Sequence, residues 1–338
     1  MTVRNKTWFL RRRPEGAVSD GDIELVESDL APLNDGEVRV RTLYISIDPT
    51  NRIWMSDMDG YLPPIPIDAP LYGGSIGVVE ESKADNISIG TVVQAGLAPW
   101  ALYNNLPGGQ ATPLPQFGDL PYHVYLGPLG VTGLTAYFGL VDIGKPKEGE
   151  TLVVSAAAGA VGSIVGQIGK IHGCRAVGIA GSDEKCRWLT EQAGFDAAIN
   201  YKKENIDEAL GRHCPDGVDI NFENVGGDIM DAVIGHLNDF SRMPLCGLIS
   251  AYNAEEPVPG PYNFANLLMR RTLVKGFIIL DYMNRFSEGQ KQLAEWVRDG
   301  KIVFEMDVVD GIENIPAALK KLFDGGNLGK LVVQTSAL

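Results

Sequence analysis

The segment at residues 151–166, TLVVSAAAGAVGSIVG, has the spacing with the clearest chemical use. Thr151–Ser155 is a short apolar run with β-branched residues, as a buried parallel strand requires. Ala156, Gly159 and Gly162 follow at A-x-x-G-x-x-G spacing, and an apolar pattern of helical period continues to about His172. A strand, a turn of small residues and a helix bring backbone N–H groups and a helix N-terminus to one point, which is how a pyrophosphate is held. Gly159 would let the backbone approach the phosphate, and Gly162 would let the helix lie close to the strand. The same spacing also serves a tight strand-to-helix turn that binds nothing, so the surrounding elements decide between the two.

Folds that use NAD usually carry an acidic residue at the end of the second strand, bonded to the adenosine ribose. Here that strand ends Gly178-Ile179-Ala180-Gly181-Ser182, so the position is neutral and leaves room for a 2′-phosphate. Lys185 follows three residues later, and Tyr201 ends the third strand. A lysine with two hydroxyls, Ser182 and Tyr201, would select NADP by charge and hydrogen bonding. Lys185 is equally well placed as an exposed helix lysine. Asp183 and Glu184 open that helix, where the dipole favours carboxylates.

Other chemistries find less support. The first 122 residues contain no histidine and no cysteine. His123, His172, His213 and His236 have no ligand spacing among themselves or with the cysteines, so no zinc site is expected. Three of them, His172, His213 and His236, fall at expected helix ends and read as caps or surface residues. No G-x-S-x-G elbow is present, which leaves hydrolase chemistry without a motif. Without a metal, a carbonyl is polarised by hydrogen-bond donors. Tyr252, just after the fifth strand, would sit at the carboxyl end of the sheet and donate to the nicotinamide, its ribose or a substrate oxygen. It would serve equally as a loop aromatic closing the site.

The elements that must position these residues fall into two textures. Residues 1 to about 126 are β-rich, with strand candidates at Asp22–Ser28, Glu37–Ile47 and Ser75–Glu81 and turns dense in glycine and proline. A compact, partly open β-barrel is expected there. From about Gly127 a helix through Leu134, Ala136, Tyr137 and Leu140 leads into alternating strands and helices, the pattern of βαβ units on a parallel sheet. The expected series is TLVVSAA, a helix to His172, AVGIA, EKCRWLTEQAG, AAINY and NIDEALGRH. It continues through DINFENV, helix DIMDAVIGHLN, strand RMPLCGLI and strand LVKGFII. A long amphipathic helix is expected over Arg285–Gly300, and the remaining strand, helix and strand return to the first domain.

Length and charge bound the rest. The 338 residues suffice for about two domains. With 29 basic and 43 acidic residues the net charge is −14, and no basic stripe offers a surface to nucleic acid or anionic membrane. Arg11–Arg13 read as a solvated strand end. No apolar run reaches the ~18 residues of a membrane span, and the N-terminal segment lacks the apolar core of a secretory leader. Cys174, Cys186, Cys214 and Cys246 have no paired spacing, as free thiols of a cytoplasmic protein would.

Several motifs then resemble one family in order along nearly the whole chain. They are ISIDP (45–49), GLTAYFGL (133–140), AAAGAVGSIVGQIGK (156–170), GSDEKC (181–186), FDAAINYK (195–202), FENVGG (222–227), CGLISAYN (246–253) and NLGKLVV (327–333). The sequence resembles the zinc-independent medium-chain dehydrogenase/reductases, in the group of leukotriene B4 dehydrogenase/prostaglandin reductases, alkenal double-bond reductases and curcumin-reductase-like enzymes. The resemblance implies an α/β fold, a Rossmann domain (127–298) inserted into a GroES-like β-barrel domain (1–126 and 299–338), with the cofactor in the cleft between them.

It also implies NADPH contacts at Gly159, Ala160, Val161, Gly162, Ser182, Lys185, Tyr201, Asn224, Cys246, Gly247, Leu248, Ile249, Ser250, Tyr252, Phe277, Ile278, Ile279 and Asn327. The implied reaction reduces the C=C bond of an α,β-unsaturated ketone or aldehyde. Hydride goes to the β-carbon, and Tyr252 and the cofactor ribose stabilise the enolate. A quinone reductase and a non-catalytic NADPH-binding sensor are the alternatives. The family commonly forms homodimers, here through strand LVKGFIIL. One departure concerns the substrate. Many relatives have tyrosine after Asp48-Pro49, whereas this chain has Thr50, and Trp54, Tyr61 and Tyr72 would line the pocket instead or pack in the core. Arg52 reads as structural.

Overall fold

The computed structural model describes residues 4–58 and 60–338, so residues 1–3 of the N-terminal segment read above lie outside it. The chain divides into two compact units, residues 1–126 with 306–327 and 331–338, and residues 127–305 with 328–330.

The first unit opens with β1 (Arg4–Leu10) and β2 (Ile23–Asp29), an antiparallel pair. Arg11, Arg12 and Arg13 follow β1 at a strand end that faces solvent, and each is also engaged. Arg11 bonds Glu24 and Asp68, Arg12 bonds Asp22, and Arg13 donates to the Met55 carbonyl, pinning the following turn. In β3 (Glu37–Ser46) alternate side chains face the core, as the pattern EVRVRTLYIS requires. After α1 (Thr50–Trp54) come β4 (Tyr72–Ser82), β5 (Val92–Pro99), β6 (Tyr103–Pro107) and β7 (Thr112–Pro113). Register shifts in the β3–β4 and β4–β5 pairs accommodate a barrel-like sheet.

The second unit begins with α2 (Val131–Phe138), which runs into a π-helical turn at Gly139–Gly144. The alternation then proceeds through β8 (Thr151–Val154), α3 (Gly162–Ile171), β9 (Arg175–Ala180), α4 (Asp183–Glu191), β10 (Ala197–Asn200) and α5 (Ile206–His213). It continues through β11 (Val218–Phe222), α6 (Gly227–Gly235), β12 (Leu237–Leu245), α7 (Ala265–Met269), β13 (Leu273–Gly276) and α8 (Phe286–Arg298). Among the described residues the strands form one parallel sheet in the order β10-β9-β8-β11-β12-β13. That is the doubly wound arrangement, which reverses direction between β8 and β11 and binds ligands at the carboxyl ends of the strands there.

The chain then returns to the first unit with β14 (Met306–Asp310), α9 (Ile315–Phe323) and β15 (Lys330–Gln334). β15 pairs with β3, and Ile315, Leu319, Leu331 and Val333 share one core with Trp8, Ile45, Trp54 and Trp100. Residues 299–305 cluster with the second unit, seven residues beyond the expected domain boundary. Gln167 explains this, since its side chain accepts from the Val303 N–H at 2.8 Å and donates to the Val303 carbonyl at 2.9 Å.

Several element limits differ from the sequence reading, three of them with a clear cause. The helix expected over residues 228–238 ends at Gly235, and β12 already starts at Leu237, because Leu237 is drawn into register with Val218. The strand expected through CGLI stops at Leu245; Cys246–Leu248 are irregular because their N–H groups turn to Glu223 and Tyr252. The strand expected through residue 279 stops at Gly276, where Phe277 turns into an aromatic cluster with Phe222 and Tyr282.

Candidate functional site

The parallel sheet puts the segments that follow β8, β9, β10, β11, β12 and β13 at one edge, and all the candidate cofactor residues except Asn327 lie on those segments. After β8 the chain turns at Ala156, which holds the left-handed region at φ +48° although it is not glycine. Its carbonyl accepts the Gly159 N–H at 2.9 Å. A Cβ on Gly162 would stand 2.4 Å from that same carbonyl oxygen, so only glycine lets α3 start this close to the strand. A Cβ on Gly159 would meet only that oxygen, at 3.2 Å. The two glycines therefore differ in kind: one is required by packing, and the other keeps space open at the head of α3, beside the half-buried Ala160 and Val161. Gly329 closes the turn from behind, donating its N–H to Ala158 at 2.8 Å, and Asn327 is buried two residues earlier.

At the end of β9 the Ser182 side chain caps α4, accepting the Lys185 N–H at 3.2 Å. Tyr201, at the end of β10, lies over Gly181: a Cβ there would stand 3.0 Å from both the Tyr201 ring and its hydroxyl oxygen. Ser182, Lys185 and Tyr201, separated by up to nineteen residues in the sequence, thus belong to adjoining strand ends.

Between them, Asp183 accepts from Asn200 Nδ2 at 2.6 Å and pairs with Lys203 Nζ at 2.5 Å. Those bonds hold its carboxyl below the usual carboxylate range, with Lys203 the larger cause.

The centre of this edge depends on a residue that motif reading passed over. Glu223, the residue after β11, is fully buried and accepts four hydrogen bonds. They come from Val225 N–H (2.7 Å), Gly226 N–H (2.9 Å), Ser155 Oγ (2.8 Å) and Asn221 Nδ2 (3.1 Å). Burial pushes its carboxyl above the usual range, and the four donors oppose that shift. Its backbone carbonyl accepts from Cys246 and Gly247, so one residue ties the loop after β8, the glycine pair after β11 and the loop after β12. The available signal was an acidic residue near the carboxyl end of the expected strand DINFENV.

Asn224 is held on the same framework, its side-chain amide donating to the Ser155 carbonyl at 2.8 Å. Ile249 N–H donates to the Asn224 carbonyl, and Ser250 bonds Val225 through both N–H and Oγ. The Cys246 thiol, facing Glu223, is pushed up to about 12 by burial and that neighbour, so it stays protonated. Tyr252 is half-buried, and its hydroxyl oxygen accepts the Leu248 N–H at 3.2 Å. It lies above Gly247, where a Cβ would stand 3.2 Å from the hydroxyl oxygen. Phe277 turns its ring inward, 2.5 Å from where a Gly139 Cβ would be, leaving its backbone and the half-buried Ile278 and Ile279 at the sheet edge. These glycine-lined spaces and the N–H groups at the head of α3 fit a dinucleotide.

In the first unit, Thr50 Oγ1 and Tyr61 Oη are 2.5 Å apart, so the small residue after Asp48-Pro49 anchors a second hydroxyl. Trp54 is buried and packs at a tilt against Tyr72, ring centroids 5.4 Å apart, placing it in the core. Arg52 is structural: buried, it donates to the carbonyls of Pro14 and Gly16. Among the described residues no group of three or more His, Cys, Asp or Glu side chains converges to hold a metal, and no helix is long and apolar enough to cross a membrane.

Comparison with known proteins shows the family of the chain. Residues 6–114 match the family described as the N-terminal domain of oxidoreductase, and residues 160–297 match the family described as zinc-binding dehydrogenase. The chain is similar to an NADPH-dependent curcumin reductase of Escherichia coli (strain K12), 44% identical over 98% of this chain and 97% of the relative. It is also similar to prostaglandin reductase 1 of Mus musculus, 40% identical over 98% and 99%. Among solved structures, CurA of Vibrio vulnificus in complex with NADPH superposes with a TM-score of 0.92 at 43% identity, covering 99% of this chain and 100% of that one.

Proposed function

The chain belongs to the zinc-independent medium-chain dehydrogenase/reductases and is an NADP-dependent oxidoreductase, and on that premise we propose that it reduces the C=C bond of α,β-unsaturated ketones and aldehydes. The observation that carries this reading is the Tyr252 hydroxyl, fixed at the sheet edge by the Leu248 N–H. An amide that donates into a phenol oxygen polarises its O–H and makes it a better donor. A bound NADPH supplies the hydride for the β-carbon.

Tyr252 then hydrogen-bonds the carbonyl oxygen of the substrate and stabilises the negative charge that develops there as the enolate forms. Solvent protonates the α-carbon, so the chemistry needs no strongly tuned acid. Gly159, Ala160, Val161 and Gly162 hold the pyrophosphate at the head of α3. Ser182, Lys185 and Tyr201 would take the 2′-phosphate, while Asn224, Cys246–Ser250 and Phe277–Ile279 would shape the rest of the cofactor site.

The substrate is a small enone or enal, and neither nucleic acid nor a membrane is a partner. We place the enzyme in the cytoplasm, in keeping with four cysteines that are free thiols, and as a homodimer joined through the edge strand β13. The test follows nicotinamide absorbance with NADPH or NADH and a panel of enones, quinones and saturated aldehydes. Enone turnover with NADPH is expected. Turnover of quinones alone would assign a quinone reductase, and tight NADPH binding with no turnover would assign a sensor.

A further inference from the structure

We propose that the Asp183–Lys203 ion pair sets the preference for NADPH over NADH, by turning away and neutralising a carboxylate that would otherwise oppose the 2′-phosphate. The inference rests on the reading of Ser182, Lys185 and Tyr201 as the 2′-phosphate end of the site. Asp183 is the residue next to Ser182, one step past the position where NAD-specific folds carry the acid that bonds the ribose 2′-hydroxyl. A free carboxylate there would favour a hydroxyl and repel a phosphate.

In this structure both its oxygens are already engaged. Oδ1 accepts from Asn200 Nδ2 at 2.6 Å, and Oδ2 faces Lys203 Nζ at 2.5 Å. Both donors belong to the end of β10 and its turn, on either side of Tyr201. The turn is organised to present them. Asn200 is buried, its Oδ1 accepts from the Lys202 N–H at 3.1 Å, and its carbonyl accepts from the Lys203 N–H at 2.9 Å. Its own N–H donates to Glu204 at 3.1 Å. Asp183 and Lys203 are both more than half exposed, so the pair adds little to folding stability. Its consequence is local charge: the pair sums to zero, where Asp183 alone would contribute −1.

The experiment measures NADPH and NADH dissociation constants by fluorescence, without substrate, for the wild type, Lys203→Met, Asp183→Asn and the double variant. Lys203→Met is expected to weaken NADPH about tenfold with NADH unchanged or tightened, since one uncompensated charge near a phosphate is of that order. The double variant should return NADPH affinity to within about twofold of wild type, because the carboxylate that Lys203 neutralises is gone. In the cofactor-free protein, the Asp183 carboxyl should titrate at higher pH in Lys203→Met than in wild type.

An equal loss of NADPH affinity from Lys203→Met in the Asp183→Asn background would show that Lys203 acts by its own charge, overturning the proposal. No loss in the single variant would overturn it as well. Lys185→Ala separates this from the underlying reading: if that variant binds NADPH like wild type, the 2′-phosphate site itself is misplaced.

Discussion

Tyr252 gives the sharpest single-residue expectation. Its phenol oxygen accepts from Leu248 N–H, so removing it costs the oxyanion donor while leaving the glycine turn and the 2′-phosphate residues untouched. Tyr252→Phe is expected to lower kcat with an enone about a hundredfold, the scale of one lost oxyanion donor, while NADPH affinity stays within a few-fold. A parallel loss of cofactor binding would show that the residue closes the cofactor site instead. His123 bears on stability. Its Nδ1 is buried without a partner among the described residues, its ring stands edge-on to Tyr44 at 5.1 Å, and burial pushes its pKa below the ordinary imidazole value. A histidine depressed in the fold contributes stability that is fully present above its unfolded pKa, about 6.5, and is lost as pH falls through the lower folded value. His123→Phe keeps the ring contact and removes the titration. Its Tm should fall less than that of wild type between about pH 7 and pH 5; the remaining drop belongs in part to His172, which burial shifts the same way.

At the scale of elements, the strand–turn–helix at β8 and α3 separates fold from function. A methyl on Gly162 meets backbone at 2.4 and 2.9 Å and forces the turn to move, whereas one on Gly159 meets only a carbonyl at 3.2 Å. Gly162→Ala should therefore cost about 1–3 kcal/mol of stability, read as a lowered denaturation midpoint. Gly159→Ala should keep its midpoint and lose NADPH affinity in a fluorescence titration. If both variants lose stability alike, the turn is a packing device at each glycine. This element was legible in the sequence because strand period, small-residue spacing and helical period all sit within sixteen residues. The parallel sheet was equally legible, since strands alternating with helices make βαβ units, although the order of its strands came only from the structure. Glu223 was not: its donors Ser155 and Asn221 lie 68 and 2 residues away, and only the parallel pairing of β8 with β11 brings Ser155 to it. The start of β12 is hidden in the sequence because Val233, Ile234 and Leu237 continue a helical pattern, while the pairing of Leu237 with Val218 overrides it. The Asp183–Lys203 pair escaped for the reason Glu223 did, since β10 must dock on β9 before the two side chains meet.

At the scale of the whole molecule, the second unit carries an uncovered apolar stretch. β13 is the last strand of the parallel sheet, paired on one side only among the described residues, and all four of its residues are exposed. Just before it, α7 buries none of its residues, Leu268 is 75% exposed, and Tyr262 in the preceding turn is 86% exposed. An edge strand with free backbone groups beside exposed aromatic and aliphatic side chains is a template for pairing, which proteins otherwise blunt with charge or proline. A second copy supplies the complement most economically, because a twofold axis at the edge would extend the sheet from β13 to its mate and cover both patches at once. The net charge of −14 on each chain opposes association only weakly at physiological salt, where the screening length is about 8 Å. Sedimentation at micromolar concentration should give twice the 36.5 kDa chain mass. Val274→Lys would set like charges against each other across the axis and should shift that mass to one chain while leaving NADPH affinity intact, since Val274 lies outside the cofactor residues. A single-chain mass for the wild type would reject the dimer and leave β13 an edge that the protein tolerates.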